Sequence, residues 1–267
     1  MTTSTKGFAL VTGASAGIGA IYADRLAKRG YDLILVARNQ SRLSALADRI
    51  TQQTGRAVET VAADLNDKAG LATVERLLRE DSRITMLVNN AGVGSVASVL
   101  DDNVDAMEAM INLNVTALTR LTYAVAPAFV ARGTGTIINI SSVVGIAVEM
   151  LNGVYSASKS YVLSFGHALQ RDLAGKGVRV QTVMPAATAT EFWDVAGYAK
   201  QKEASSTMTA DDLVDAALAG LDQGELVTFP TLHDGDAWTQ WEATRRSLAP
   251  KFANAKPAPR YEVKADR

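Results

Sequence analysis

The sequence contains no cysteine, which excludes disulfides, thiolate catalysis and cysteine-based metal sites. Histidine is almost as scarce, with only His167 and His233. A histidine-rich metal centre or a Ser-His-Asp hydrolase would have to depend on one of these, and neither stands beside a partner motif, so both read as structural. No apolar run approaches the ~20 residues needed to span a bilayer, and a short polar segment leads straight into the first strand without a signal region. A cytoplasmic protein is therefore expected. Charge of one sign is also missing: the formal net charge is -1 and no basic stripe occurs, which removes the electrostatic case for nucleic acid or an anionic membrane as partner. What remains is a chain of 267 residues, 48% hydrophobic, long enough to bury a core on both faces of a sheet in one large α/β domain.

Phe8-Ala9-Leu10-Val11-Thr12 is a short apolar run, followed at once by Gly13-Ala14-Ser15-Ala16-Gly17-Ile18-Gly19 and helical periodicity from Ile18 to Arg29. Strand, glycine turn and helix in that order let backbone N–H groups approach a phosphate, which the helix N-terminus also attracts. The spacing is Thr-Gly-x-x-x-Gly-x-Gly and differs from the G-x-G-x-x-G dinucleotide fingerprint, although the physical reasoning is the same. Gly30 ends the helix, and the run from Tyr31 to Ala37 reads as the second buried strand of a βαβ unit. That strand ends Val36-Ala37-Arg38-Asn39, with no carboxylate to hold the ribose hydroxyls of NAD. Arg38 suits the 2′-phosphate of NADP instead. A guanidinium bonded to phosphate is worth about 1.5–3 kcal/mol, which would give roughly ten- to hundredfold preference.

Further strands are expected over 57–62, 84–88, 136–140, 178–184 and 226–229, with helices over 41–54, 67–80, 104–132, 211–222 and 236–248. The third strand ends in Ala63-Asp64-Leu65, where Asp64 could cap a turn or reach an adenine amino group. The fourth runs into Asn89-Asn90-Ala91-Gly92, whose amides can tie neighbouring loops together. Asn114 lies within a helical stretch, where asparagine is disfavoured, and so suggests a bend or a held water. This alternation with short loops implies an α/β fold, a single-domain doubly wound parallel sheet of about seven strands with helices on both faces. Its ligand crevice would lie at the carboxyl ends of the strands.

Tyr155 and Lys159 stand at i and i+4 and so share one face of a helix, which Ala157, Tyr161, Phe165, Ala168, Leu169 and Leu173 mark by their period and Gly175 and Gly177 end. A phenol titrates near pH ~10, so it exchanges a proton at neutral pH only if its phenolate is stabilised. A nearby ammonium would do that. The pair alone also describes an ordinary amphipathic helix with a solvated lysine; its meaning comes from the other motifs that point to the same chemistry.

Thr12 to Gly19, Asn89 to Gly92, Asn114, Ser142 and Tyr155 to Lys159 together stand in the order and spacing of the short-chain dehydrogenase/reductases, and the sequence resembles that family from about Gly7 to Pro230. The resemblance implies that Tyr155 is the general acid/base, that Ser142 orients and polarises the substrate oxygen, and that Lys159 binds the nicotinamide ribose and lowers the tyrosine pKa. It implies that Asn114 supports a water-linked proton relay. Cofactor contacts carry over to Gly13, Gly17 and Gly19 on the pyrophosphate, with Ser15 and Ile18 in the same turn. Asp64 with Leu65 falls at adenine, Asn90 near the ribose, and Pro185 with Thr188 and Thr190 beside the nicotinamide. Arg38 looks like the NADP-preferring branch. The chemistry is coherent, since hydride delivery to a carbonyl leaves a developing alkoxide that a hydroxyl donor and a phenol acid can stabilise and protonate.

Two positions depart from the family pattern. Pro185 is followed by Ala186 where glycine is common, and either Thr188 or Thr190 could bond the carboxamide. Position 16 is alanine, where some NADP-preferring members carry a second basic residue. The irregular stretch around 188–209, with Phe192, Trp193 and Tyr198, corresponds to the family's lid over the substrate. With Val143, Val144, Met150, Leu151 and Val154 it suggests an apolar pocket to which Glu149 adds one charge, although the aromatics could equally pack the lid onto the body. The expected organisation is one domain over 1–249 and a tail over 250–267. The expected activity is NADP(H)-dependent interconversion of a carbonyl and a secondary alcohol on a small, largely apolar molecule. An NAD-dependent alcohol dehydrogenase of the same family, a non-catalytic dinucleotide-binding regulator and a non-redox lyase or epimerase are the alternatives. By resemblance a homodimer or homotetramer is expected, with Ala117, Ala157 and Gly166 as small residues that would permit close helix packing between subunits.

Overall fold

The computed structural model describes residues 6–203 and 205–261. These divide into two compact units, one ending at Thr231 and the other starting at Leu232, whereas the sequence reading ran the domain on to residue 249. The first half of the larger unit holds β1 (Phe8–Thr12), α1 (Gly17–Lys28), β2 (Asp32–Ala37), α2 (Gln40–Thr54), β3 (Val58–Ala62), α3 (Lys68–Glu80) and β4 (Ile84–Asn89). Then come α4 (Val104–Ile111), α5 (Leu118–Arg132), β5 (Gly135–Ile140), α6 (Gly153–Leu173) and β6 (Val178–Val183). The rest comprises β7 (Thr188–Ala189), α7 (Phe192–Val195), β8 (Met208–Thr209), α8 (Ala210–Asp222) and β9 (Val227–Thr228). The smaller unit contains α9 (Gly235–Leu248).

Seven strands form one parallel sheet in the order β3-β2-β1-β4-β5-β6-β9, the doubly wound architecture expected. Alternate residues of each strand serve opposite faces. Ala9, Val11, Leu33 and Leu35 face Tyr22 and Leu26 of α1 and Leu213 of α8, while Leu10, Ile34 and Val36 face Val74 of α3 and Phe129 of α5. Burial on both faces is why these strands read as unbroken apolar runs in the sequence. Strand order reverses between β1 and β4, which opens a crevice outside their carboxyl ends.

Three local features depart from the sequence reading. Helices α4 and α5 run on as one, but through a π-helical turn over Asn112–Ala117. The stretch read as irregular is pinned at both ends by a parallel pairing of β7 with β8, where Met208 N donates to the Ala187 carbonyl at 2.9 Å, and it carries the short helix α7. Two of the small residues expected at a subunit contact face inward: Ala117 is buried in the core, and a Cβ on Gly166 would stand 2.1 Å from Thr182 Oγ1 of β6. No helix among the described residues is long and apolar enough to cross a membrane.

Candidate active site

The glycine turn is built against the end of β4. Thr12 Oγ1 donates to the Val88 carbonyl (3.2 Å) and accepts from the backbone N–H groups of Asn90 and Ala91, each at 3.0 Å. Asn90 Nδ2 donates to the carbonyls of Thr12 (2.9 Å) and Gly13 (3.2 Å), so its amide ties the two strand ends together. Asn89 does the same deeper in the fold, donating to Thr122 Oγ1 at 3.0 Å and Asn139 Oδ1 at 2.9 Å. Gly13 and Gly17 have φ of +65° and +53°, which L side chains rarely adopt. Gly19 has a different reason to be glycine: a Cβ there would lie 2.3 Å from the Gly13 carbonyl oxygen, so its absence lets α1 close onto the turn.

Tyr155 lies in the first turn of α6. Asn152 caps that helix, its Oδ1 accepting from the N–H groups of Val154 (2.9 Å) and Tyr155 (3.1 Å) while its Nδ2 donates to the Ala97 carbonyl at 2.6 Å. The cap fixes both the start of the helix and the loop after β4, and the sequence reading missed it, although Asn-Gly before an apolar run is an N-terminus signal. Ser142 stands just beyond β5, where Val143 N donates to the Pro185 carbonyl (2.8 Å) and Ser142 Oγ donates weakly to the same oxygen at 3.3 Å. Ser141 Oγ donates to the Lys159 carbonyl at 2.7 Å, which holds the middle of α6 against the end of β5. Asn114, buried in the π-turn, pairs with both backbone groups of Val93: its Oδ1 accepts from Val93 N (3.0 Å) and its Nδ2 donates to Val93 O (2.8 Å). The same Nδ2 donates to Ser158 Oγ at 3.1 Å, and that hydroxyl donates to the Tyr155 carbonyl at 2.7 Å.

Tyr155 and Lys159 share one helix face as expected, but the electrostatics run against the sequence reading. Burial pushes the Tyr155 phenol up to about 12, with the Ser142 hydroxyl beside it acting in the opposite direction. Lys159 is itself pushed down to about 8 by burial. Its ammonium donates to the Ile140 carbonyl at 3.0 Å and sits 5.8 Å from the centre of the tyrosine ring. In the cofactor-free protein the net shift of the tyrosine is thus upward, opposite in direction to the lowering that the resemblance implies. Desolvation of the phenolate outweighs the neighbouring donor, a balance that i, i+4 spacing does not reveal.

A cleft of about 480 Å³ opens at the carboxyl ends of the strands. Gly13, Gly17, Ile18, Arg38, Asn90, Ser142, Tyr155, Lys159, Pro185, Thr188 and Thr190 all line it. Ser15, Gly19, Asp64, Leu65 and Asn114 do not. Asp64 is exposed and its carboxylate accepts from Asn66 N at 2.9 Å, so the structure has it capping its own turn, while Leu65 is buried in the core. Arg38 is exposed and makes no hydrogen bond or ion pair among the described residues. Thr188 is buried and its hydroxyl donates to the Ala186 carbonyl at 3.0 Å, whereas Thr190 lies over Gly17, its Cβ 3.2 Å from where a Cβ on that glycine would be. Much of the remaining wall is apolar: Val143, Val144, Met150, Leu151, Phe192 and Trp193 contribute, but Val154 does not. Glu191 is the carboxylate on the lining, not Glu149, and it pairs with Arg42 of α2 at 2.7 Å.

A family model described as short chain dehydrogenase matches residues 7–200. An uncharacterized oxidoreductase of Staphylococcus saprophyticus subsp. saprophyticus is 35% identical over 216 residues, which cover 80% of this chain and 91% of the relative. Among solved structures, a short-chain dehydrogenase from Sphingobium yanoikuyae in complex with NADPH is 48% identical with a TM-score of 0.93, covering 96% of this chain and 100% of that one. The bulky-bulky ketone specific alcohol dehydrogenase from Comamonas testosteroni is 40% identical with a TM-score of 0.90, covering 97% of this chain and 100% of that one.

Proposed function

The chain belongs to the short-chain dehydrogenase family, and we propose that it is an NADP(H)-dependent oxidoreductase that interconverts apolar ketones and secondary alcohols, with Tyr155 as general acid/base. The observation that carries this reading is that Ser142, Tyr155 and Lys159 line the same cleft as the unpaired guanidinium of Arg38. The residues present fit a phosphorylated dinucleotide. The Gly13–Gly17 turn and the N-terminus of α1 offer backbone N–H groups to a pyrophosphate, and Arg38 offers a free cation to a 2′-phosphate. The NADPH held by the Sphingobium yanoikuyae relative supports the same cofactor here.

A bound NADPH would supply the hydride for carbonyl reduction. The role of Tyr155 would be to give its O–H proton to the substrate oxygen, which completes the alcohol. Because Tyr155 is held at about 12, it is a phenol throughout the neutral range and is poised as the acid for reduction. Ser142 stands beside the Tyr155 phenol, and its bond to the Pro185 carbonyl is long at 3.3 Å, so its hydroxyl could turn toward the developing alkoxide at little cost. Lys159 lines the same cleft with its ammonium held by the Ile140 carbonyl, and its remaining protons would be available to the ribose of a bound nicotinamide nucleotide. The apolar lining suits a ketone without charged substituents, in keeping with the bulky-bulky ketone specificity named for the Comamonas testosteroni relative.

Side-by-side fluorescence titration with NADPH and NADH, followed by a screen of aryl and alkyl ketones, tests this reading. NADPH should bind at least about tenfold more tightly than NADH, and Arg38→Ala should abolish the difference. Binding of NADPH without consumption on any ketone would contradict the reductase assignment. Equal affinity for the two cofactors would contradict the role of Arg38.

A further inference from the structure

We propose that Phe192, seated in the space left by the missing side chain of Gly94, is the wall that sets how large a second substituent the substrate carbonyl can carry. This deepens the ketone-reductase reading above and rests on it. Phe192 opens the short helix α7, and its ring lies 5.6 Å from the Tyr155 ring at an interplanar angle of 44°. Its tip reaches the loop after β4: a Cβ on Gly94 would stand 2.3 Å from Phe192 Cζ and 3.3 Å from Tyr155 Cδ2. Three groups thus meet at one point, and the glycine is what lets the phenyl tip reach the edge of the reacting tyrosine.

Phe192 is held there from behind. Trp193 packs edge-on against it at 5.3 Å and is anchored by its indole N–H, which donates to the Thr188 carbonyl at 2.9 Å. Ala196 N donates to the Phe192 carbonyl (2.8 Å), and Val96 N donates to the Ala196 carbonyl (3.3 Å), so the short helix is tied to the Gly94 loop. A ketone whose oxygen approaches Tyr155 must place one of its two substituents against this ring. Gly94 does not have the positive φ that would forbid a side chain, and the three nearest atoms an alanine Cβ would meet there all belong to the two rings. The two positions are therefore coupled, and removing the phenyl should relieve the clash.

The test compares acetophenone with benzophenone, which differ in the size of the second substituent, under saturating NADPH with wild type, Phe192→Leu, Phe192→Ala, Gly94→Ala and the Gly94→Ala/Phe192→Ala double variant. Phe192→Ala should raise the benzophenone-to-acetophenone ratio of kcat/KM by roughly tenfold or more, with Phe192→Leu in between. Gly94→Ala should cut acetophenone turnover by about tenfold in wild type but by less than about threefold in the Phe192→Ala background. An unchanged substrate ratio in Phe192→Ala, or an equal effect of Gly94→Ala in both backgrounds, overturns the proposal. If wild type binds NADPH yet reduces neither ketone, the reductase reading fails separately. Tryptophan-fluorescence titration of the same proteins with the two ketones then decides: a shifted ratio of dissociation constants in Phe192→Ala supports the wall, and an unchanged ratio overturns it.

Discussion

Replacing Lys159 by methionine should stabilise the cofactor-free protein while removing a group the proposed reaction uses. The ammonium is buried at 6% exposure and makes one hydrogen bond, to the Ile140 carbonyl at 3.0 Å. Burial lowers its pKa from 10.5 to about 8, which corresponds to a destabilisation of about 3 kcal/mol while the folded group is charged. Methionine keeps most of the reach and volume but gives up that hydrogen bond, at about 1 kcal/mol. The variant should therefore be about 2 kcal/mol more stable near neutral pH. The sign of the pH dependence follows from the direction of the shift. Between about 8 and 10.5 the unfolded chain still binds the lysine proton and the folded chain does not, so wild-type stability rises with pH through this window. The methionine variant lacks that rise of about 3 kcal/mol, so its lead of about 2 kcal/mol vanishes within the window and wild type is the more stable by about 1 kcal/mol at the top, the worth of the hydrogen bond that methionine lacks. Urea denaturation of both proteins at about pH 7 and about pH 10 measures it. A variant no more stable than wild type near pH ~7, or a gap that does not change with pH, would refute the reasoning.

Three other perturbations follow from the same geometry. Gly19→Ala should weaken NADPH binding by at least about tenfold with unchanged circular dichroism, because its Cβ would stand 2.3 Å from the Gly13 carbonyl oxygen and force the turn apart; calorimetric titration reads the loss. Asn114→Ala leaves both backbone groups of Val93 without their partner and should cost about 2–3 kcal/mol in urea denaturation, with Asn114→Asp restoring only the acceptor half. Ultraviolet difference titration of wild type against Tyr155→Phe should show no tyrosinate from Tyr155 until well above the ordinary phenol value of 10.0, since its pKa is pushed up to about 12. The associated stability is present below that ordinary value and declines as pH rises from it toward the folded pKa.

The sheet was legible because each parallel strand is buried on both faces, so that runs such as Phe8-Ala9-Leu10-Val11-Thr12 could be read without knowing their neighbours. The grouping of Ser142, Tyr155 and Lys159 in one cleft was legible because each follows or faces the carboxyl end of a strand. The lid was not. β7 and β8 are two residues each and exist only because they pair with one another, so no local period marks them. The raised pKa of Tyr155 was hidden for a related reason: burial is a property of the assembled cleft, and helix spacing places a lysine near a tyrosine without saying how dry the pair is. Of the two roles that the sequence left open for Asp64, the turn cap is the one its carboxylate fills in the cofactor-free protein. The contact of Phe192 with Gly94 joins the short helix α7 to a loop ninety-odd residues away in sequence and left no trace in either.

The measurement that tests the account most directly is NADPH-dependent ketone reduction by wild type and Tyr155→Phe, with NADPH affinity determined on the same samples. Loss of the phenol proton should lower kcat by about 10²–10⁴-fold while NADPH affinity stays within about threefold of wild type, because the hydroxyl, not the ring, carries the proton transfer. Retention of wild-type turnover by Tyr155→Phe would contradict the assignment of Tyr155 as the general acid and with it the proposed chemistry.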